Sequence, residues 1–143
     1  MNLETLLAER EIHYNLGLFA RILDRREWSR IGEVFADDIT FNYGDGEERS
    51  GAEALRWNFT RFLDVCGPSQ HLLGSIQIEV EGASALSRSY VQARHQGAGD
   101  KSHLFLDTNG EYIDRWQRRA EGWRIVRRDA RWDIAQGDFA VLS

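Results

Sequence analysis

Histidine is the first residue type to consider for chemistry, because its unperturbed pKa allows it to exchange protons near neutral pH. The chain has four histidines. His71 stands at the start of a predicted strand, and His95 and His103 lie on either side of a predicted hairpin turn, where they could approach each other. His13 lies in a predicted helix beside its apolar stripe, which favours the surface. Two histidines alone make a poor metal site, so no metal is predicted.

Arginines cluster in the last predicted strand, at Arg124, Arg127, Arg128 and Arg131. Because side chains alternate along a strand, we expect Arg124 and Arg128 on one face and Arg127 and Arg131 on the other. One face must meet solvent or another subunit, and the pattern leaves open which of the two lines a pocket.

The two preceding strands carry further candidates for ligand binding. Tyr112 and Asp114 share one strand face with Trp116, and an inward Asp114 would hydrogen-bond a ligand hydroxyl or pair with Arg128. An outward Asp114 would simply be solvated. His95 shares its face with small residues, which leave room for a ligand; it is either a second proton-transfer group or a histidine that ends a hairpin.

Composition limits the possible functions of the 143-residue chain. Its 18 Lys and Arg against 23 Asp and Glu give a net charge of −5, which argues against broad nucleic-acid binding. Cys66 is the single cysteine, so no internal disulfide is possible. No apolar stretch is long enough to span a membrane, and the first residues lack the pattern of a signal peptide. We therefore expect a cytoplasmic protein.

Helical patterns precede strand patterns along the chain. Apolar residues at steps of three and four predict a helix through Leu23, a second short helix from Trp28 to Phe35, and a third from Leu55 to Cys66. A capping-box pattern at Asp24 to Glu27 predicts that the second helix starts there, with Asp24 as its cap. A short strand is predicted from Ile39 to Tyr43.

Four strand patterns separated by hairpin signals follow residue 69. The segment from Asp107 to Gly110 predicts either another hairpin or a bulge in one long strand. The fold class is therefore α+β, with one domain at 1–143 in which helices lie on a curved antiparallel sheet. Such a sheet encloses a cone-shaped cavity, and polar side chains inside it are candidates for chemistry.

This order of elements resembles the SnoaL-like branch of the NTF2-like superfamily, which has a cystatin-like fold. The resemblance rests on segments that together cover nearly the whole chain: Leu23 to Trp28, Phe35 to Asp38, Gln70 to Gly74, Ser89 to Val91, Gly110 to Asp114, and Gly122 to Ile125 with Arg128. It implies that Asp24 and His71 form a catalytic pair, as in the dehydratase and dehydrochlorinase members. A carboxylate fixes the histidine tautomer, and the second ring nitrogen is then free to take a proton.

The resemblance also implies roles for two further residues. Tyr43 matches a tyrosine that polarises a substrate carbonyl, and Arg128 matches an arginine that stabilises an anion. Leu23 stands at the position where the dehydratase members have a second tyrosine. The pair of tyrosines that holds a water molecule in those proteins therefore cannot form in the same way here. The dehydrochlorinase members have a functional lysine and a functional cysteine, and the matching positions here fall near Phe19 and Ser69. These differences argue against the dehydrochlorinase reaction in this protein.

The resulting hypothesis is a cofactor-independent lyase or isomerase that acts on a small, mostly apolar cyclic substrate of aromatic, polyketide or steroid-like type. The alternatives are a non-catalytic protein that binds such ligands and a small structural subunit of a ring-hydroxylating dioxygenase. A homodimer or homotrimer is expected, because large side chains such as Tyr90 lie on the outer face of the sheet.

Overall fold

A computed structural model describes residues 2–143 of the chain. Its helices are α1 (Leu3–Arg25) and α2 (Ala52–Leu63), and short 3-10 helices cover Trp28–Glu33, Gly99–Lys101 and Phe139–Leu142. Its strands are β1 (Phe35–Asn42), β2 (Arg49–Ser50), β3 (Ser69–Glu81), β4 (Ser84–Gln96), β5 (Phe105–Arg119) and β6 (Gly122–Gly137).

The long helix α1 ends at Arg25, two residues beyond the predicted Leu23. The Asn2 side chain caps its start by accepting a hydrogen bond from the Thr5 N–H at 2.8 Å. Its end is set by Arg26, which adopts a left-handed backbone with φ 57°. Asp24 therefore lies in the last turn of α1, and the predicted capping box is wrong. Glu27 precedes the next 3-10 helix without a side-chain cap, and Phe35 begins β1.

The six strands form one mixed, curved and open sheet in the order β2-β1-β6-β5-β4-β3. Strands β3 to β6 make the predicted antiparallel meander. Strand β1, however, pairs with β6 in parallel, so the prediction of a purely antiparallel sheet is wrong in this respect. The parallel pairing is possible because the long connection through the meander lets β6 return alongside β1. The predicted α+β class with helices packed on the sheet is confirmed.

Two bulges in the pairing of β5 with β6 determine whether Asp107 to Gly110 forms a hairpin and which side chains of β6 share a face. The pairing of β5 with β6 shifts between Asn109 and Gly110, so the Asp107 to Gly110 segment belongs to one long strand with a bulge. A second shift leaves Val126 between two register pairs of β6. The alternation of side chains is interrupted there: Trp123 and Ile125 are buried two residues apart, and the next buried side chain is three residues further, at position 128. The expectation that residues 124 and 128 share a face is therefore wrong.

The helices cover the concave side of the sheet. Helix α1 packs mainly against β3, and α2 packs against β1. Aromatic side chains join the layers: the rings of Phe19 and Phe35 meet edge to face with centroids 5.6 Å apart, and the ring of Phe59 lies parallel to that of Trp28. Within residues 2–143, no helix has the length and apolar character needed to cross a bilayer.

Candidate active site

The structure brings Asp24 and His71 into direct contact, although the two are far apart in sequence. Asp24 lies in the last turn of α1, and His71 lies near the start of β3. The distance from His71 Nδ1 to Asp24 Oδ1 is 2.7 Å, and the His71 backbone N–H donates to Asp24 Oδ2 at 2.9 Å. A carboxylate near a helix C-terminus is unfavourable because of the helix dipole. The hydrogen-bond donors from β3 offset that cost.

Arg26 and Ser69 hold the ends of these elements together. Ser69 Oγ donates to Asp24 Oδ1 at 2.9 Å and accepts from Arg26 Nη1 at 2.8 Å. The same guanidinium donates to the backbone oxygens of Leu23, Leu63 and Gly67 at 2.7 to 2.9 Å. The C-terminal ends of α1 and α2 and the start of β3 are thereby joined at the dyad. The sequence analysis assigned no role to Arg26 or Ser69, since neither follows a periodic pattern.

The hydrogen bonds define the ionisation of Asp24 and the position of the hydrogen on the neutral His71 ring. Burial alone would raise the pKa of the Asp24 carboxyl, but the hydrogen bonds from the ring and backbone of His71 outweigh this effect and lower it. An ionised carboxylate accepts only, so His71 Nδ1 carries the hydrogen. His71 Nε2 is then an unprotonated acceptor in the neutral ring. His71 is itself buried and lines the pocket described below.

His95 lies beside His71, with ring centroids 5.7 Å apart and the rings edge to face. Its Nδ1 is 3.0 Å from the backbone oxygen of Leu106, which accepts only, so Nδ1 carries the hydrogen and Nε2 is the free acceptor. Burial lowers the pKa of His95. The neutral ring is therefore favoured at this position. His13 and His103 are exposed.

Tyr43 and Tyr112 are the phenols of the site. Tyr43 follows β1, Tyr112 lies on β5, and their ring centroids are 5.8 Å apart. Burial raises the pKa of the Tyr43 phenol, although the Arg128 charge and the Tyr112 hydroxyl oppose part of the rise. Burial and the neighbouring Tyr43 raise the pKa of Tyr112 well above its usual value. Both groups therefore remain neutral hydrogen-bond donors.

Arg128 and Asp114 form a completely buried ion pair behind these tyrosines. Arg128 Nε and Nη2 donate to the two carboxylate oxygens of Asp114 at 2.7 and 2.9 Å, and both side chains are 0% exposed. The guanidinium carbon lies 3.9 Å from the ring centroid of Tyr112. Burial alone would lower the pKa of Arg128, but Asp114 and the tyrosines outweigh it and keep the guanidinium charged. Neither residue is among those that line the pocket. Of the two alternatives that the sequence left open for Asp114, the structure has the pairing with Arg128.

Arg128 instead acts on the pocket through Tyr43. Its Nη1 donates to the Tyr43 hydroxyl oxygen at 3.3 Å. A hydroxyl that accepts from a cation becomes a stronger donor through its own hydrogen. The arginine charge can therefore support Tyr43 without touching a bound molecule.

His71, His95 and the two tyrosines line a pocket of about 720 Å³ between the helices and the sheet. Apolar side chains make most of its wall, namely Leu23, Phe59, Phe62, Leu63, Trp132, Ile134, Ala135, Phe139 and Leu142. The polar side chains at its surface include those of Tyr43, Asn58, Arg61, His71, His95, Thr108 and Tyr112. The volume lies in the range of small-molecule sites. Within residues 2–143, no three His, Cys, Asp or Glu side chains are arranged to hold a metal ion.

The C-terminal segment also reaches this pocket, which the sequence analysis missed. Phe139 and Leu142 of the last 3-10 helix contribute to its wall. The only sequence signal was a pair of apolar residues after the last strand. The single cysteine, Cys66, packs in a small separate cluster with Leu106 and Val141.

Comparison with known proteins identifies the family and the class of fold. The SnoaL-like domain family matches residues 4–129, and the chain belongs to that family. This confirms the resemblance stated from the sequence. The uncharacterized protein Rv2910c from Mycobacterium tuberculosis is 28% identical over 120 residues, which cover 82% of this chain and 80% of that protein.

Two solved structures illustrate the shared fold. Kfla4162 from Kribbella flavida superposes with a TM-score of 0.84 at 17% identity, covering 96% of this chain and 98% of the other. A scytalone dehydratase-like protein from Novosphingobium aromaticivorans gives a TM-score of 0.81 at 20% identity, covering 92% and 88% of the two chains. At these identities the likeness shows the fold alone.

Proposed function

We propose that the protein is a cofactor-independent lyase or isomerase that removes a proton from a carbon next to a carbonyl group of a small, mostly apolar cyclic substrate. The observation that carries this proposal is the dyad: His71 Nδ1 and Asp24 Oδ1 are 2.7 Å apart at the wall of an apolar pocket. The SnoaL-like family and its structural relatives include proteins named as dehydratases.

In this mechanism His71 Nε2 accepts the substrate proton. Asp24 holds the ring through Nδ1 and stabilises the imidazolium that forms. The second contact, from the His71 backbone N–H to Asp24 Oδ2, fixes the carboxylate while the ring changes charge.

The electrons of the broken C–H bond move to the carbonyl oxygen and form an enolate. The Tyr43 hydroxyl, supported by Arg128, donates to that oxygen. The imidazolium of His71 then returns its proton, either to another carbon in an isomerisation or to a leaving hydroxyl group in a dehydration. Isomerisation and dehydration would use the same residues, so the dyad alone does not distinguish the two reactions.

The test is proton exchange in deuterium oxide. The protein is incubated with bicyclic ketones such as 1-tetralone and 2-tetralone, and loss of the α-proton signal is followed by NMR. We expect His71→Gln to slow exchange by about 100-fold or more, as for loss of a general base. Tyr43→Phe is expected to slow exchange by about 10- to 1,000-fold without preventing binding.

His13→Gln is the matched control, because it removes an exposed histidine remote from the pocket wall. It should exchange at the wild-type rate. If pocket amides shift on adding the ketones but no ketone shows His71-dependent exchange, catalysis is refuted. The non-catalytic binding protein then becomes the better description.

A further inference from the structure

Arg61 of α2 is a cation at the pocket wall that the proposed proton transfer does not use. Its side chain retains 27% of its surface exposed. The guanidinium carbon lies 4.2 Å from the ring centroid of Trp57 and 4.4 Å from that of Phe62. These two rings fix the planar group, so a ligand that binds it would cause little loss of side-chain freedom.

Most of the donors of Arg61 are not committed to the protein. A guanidinium has five N–H donors, and Arg61 uses Nη2 to donate to Asn58 Oδ1 at 2.9 Å. Its Nε is buried with no hydrogen-bond acceptor within the part of the chain that the structure describes. The nearest carboxylate, Asp45, lies 3.6 Å from Nη2, outside hydrogen-bond distance.

Asp45 is also shared with a second arginine. Arg49 Nη1 donates to Asp45 Oδ2 at 2.8 Å, the same oxygen that faces Arg61. One carboxylate therefore faces two guanidinium groups, which leaves one excess positive charge in this group of three. The other aspartate of the pocket wall, Asp133, is held by Arg131 at 2.9 and 3.2 Å.

Arg61 lies near the end of α2 that Arg26 joins to the dyad. It precedes Leu63 by two residues, or about 3 Å of helix axis. The Leu63 carbonyl accepts a hydrogen bond from Arg26, which joins the dyad through Ser69. His71 and Arg61 both line the 720 Å³ pocket, so one bound molecule can contact both side chains.

We infer that Arg61 is a binding residue for an anionic oxygen group on the ligand, so that the substrate class is an apolar ring compound that carries a carboxylate. The carboxylate takes the open guanidinium donors, and the ring lies against the apolar wall. That the ligand is a substrate rests on the proposed function. Binding of an anionic ligand at Arg61 does not depend on turnover.

The test uses two fluorescent probes with the same aromatic frame. 8-Anilinonaphthalene-1-sulfonate carries an anionic group, and N-phenyl-1-naphthylamine lacks it. We expect Arg61→Gln to weaken binding of the sulfonate at least tenfold and to change binding of the neutral probe less than twofold. Arg56→Gln, which removes an exposed arginine of the same helix, should leave both affinities unchanged.

Amide shifts locate the probes, and those of Thr108 and Ala135 in the pocket wall should respond to both. The inference is overturned if both probes weaken equally in Arg61→Gln, if Arg56→Gln has the same effect, if the wild-type protein does not bind the sulfonate, or if the shifts lie outside the pocket. The catalytically disabled Asp24→Asn protein should retain the preference for the sulfonate. A failure of catalysis is thereby separated from a failure of this site.

Discussion

Replacement of Asp24 by asparagine tests the dyad most directly. Asparagine has the same shape, but only one of its two terminal atoms is an oxygen that can accept a hydrogen bond. The backbone N–H of His71 can only donate, so the oxygen of the introduced amide should turn toward it. The amide NH₂ group then faces His71 Nδ1, which must become the acceptor. We therefore expect the imidazole to change tautomer and to carry its hydrogen on Nε2, where it can no longer accept a substrate proton.

The cost in stability follows from the bonds that change. Asp24 accepts three hydrogen bonds, from Ser69 Oγ, His71 N and His71 Nδ1. Bonds to a charged group contribute about 1.5–3 kcal/mol each, and neutral ones about 0.5–1.5 kcal/mol. We expect Asp24→Asn to lower the free energy of unfolding by about 1–3 kcal/mol, which corresponds to a Tm decrease of roughly 3–10 °C for a chain of this size.

The stability difference should depend on pH in one direction. The pKa of the Asp24 carboxyl is lowered, because the hydrogen bonds of His71 outweigh the opposing effect of burial. An unfolded aspartate has a pKa of about 3.9, so the stabilisation is complete above about pH 5 and is lost as the pH falls through the folded-state value. The wild-type and Asp24→Asn proteins should therefore converge in stability at acidic pH.

The assay combines thermal unfolding with ¹⁵N spectra of the histidine ring nitrogens. Asp37→Asn is the control, since Asp37 is exposed and the same chemical change there should alter neither measurement. The dyad would be disproved if a folded Asp24→Asn protein kept the wild-type His71 tautomer and the wild-type Tm.

Four further results are expected. Wild-type stability should fall below about pH 6.5, because the folded protein holds His95 neutral with a lowered pKa; His95→Phe should flatten this slope in denaturant titrations, and an unchanged slope would contradict the assignment. Arg128→Met should cost about 3–5 kcal/mol by leaving the Asp114 carboxylate buried and unpaired, and restoration of much of the loss by a second change, Asp114→Leu, would support this cause. Gly110→Ala should unfold the protein or strongly lower its Tm, since a Cβ there collides with the Arg131 carbonyl oxygen; a wild-type melting curve would refute the bulge geometry. Light scattering should give two or three times the 16.5 kDa chain mass, because Tyr90 and other large side chains are exposed on the sheet; a monomer at micromolar concentration would refute this.

The sequence by itself determined the local elements and several of the residues that meet in the site. Apolar periodicity depends only on near neighbours, so it identified the long helix, α2 and the four long strands. Alternation also placed Tyr112 and Asp114 on the same strand face, and the structure shows that this face is buried. The resemblance to the SnoaL-like family then singled out Asp24 and His71, which periodicity alone would have left as a helix cap and a strand residue.

Tertiary structure alone decided the features that depend on contacts between distant parts of the chain. A local pattern made Asp24 a candidate helix cap, but α1 continues past it to a left-handed Arg26 whose side chain bonds Leu63, Gly67 and Ser69. The parallel pairing of β1 with β6 is equally nonlocal. The bulge at Val126 interrupts the alternation that sequence spacing assumes, so Arg128 shares the buried face of Trp123 and Ile125 and lies against Tyr43. A local pattern carries no information on such long-range register, because register is fixed by the partner strand and by the packing of the core.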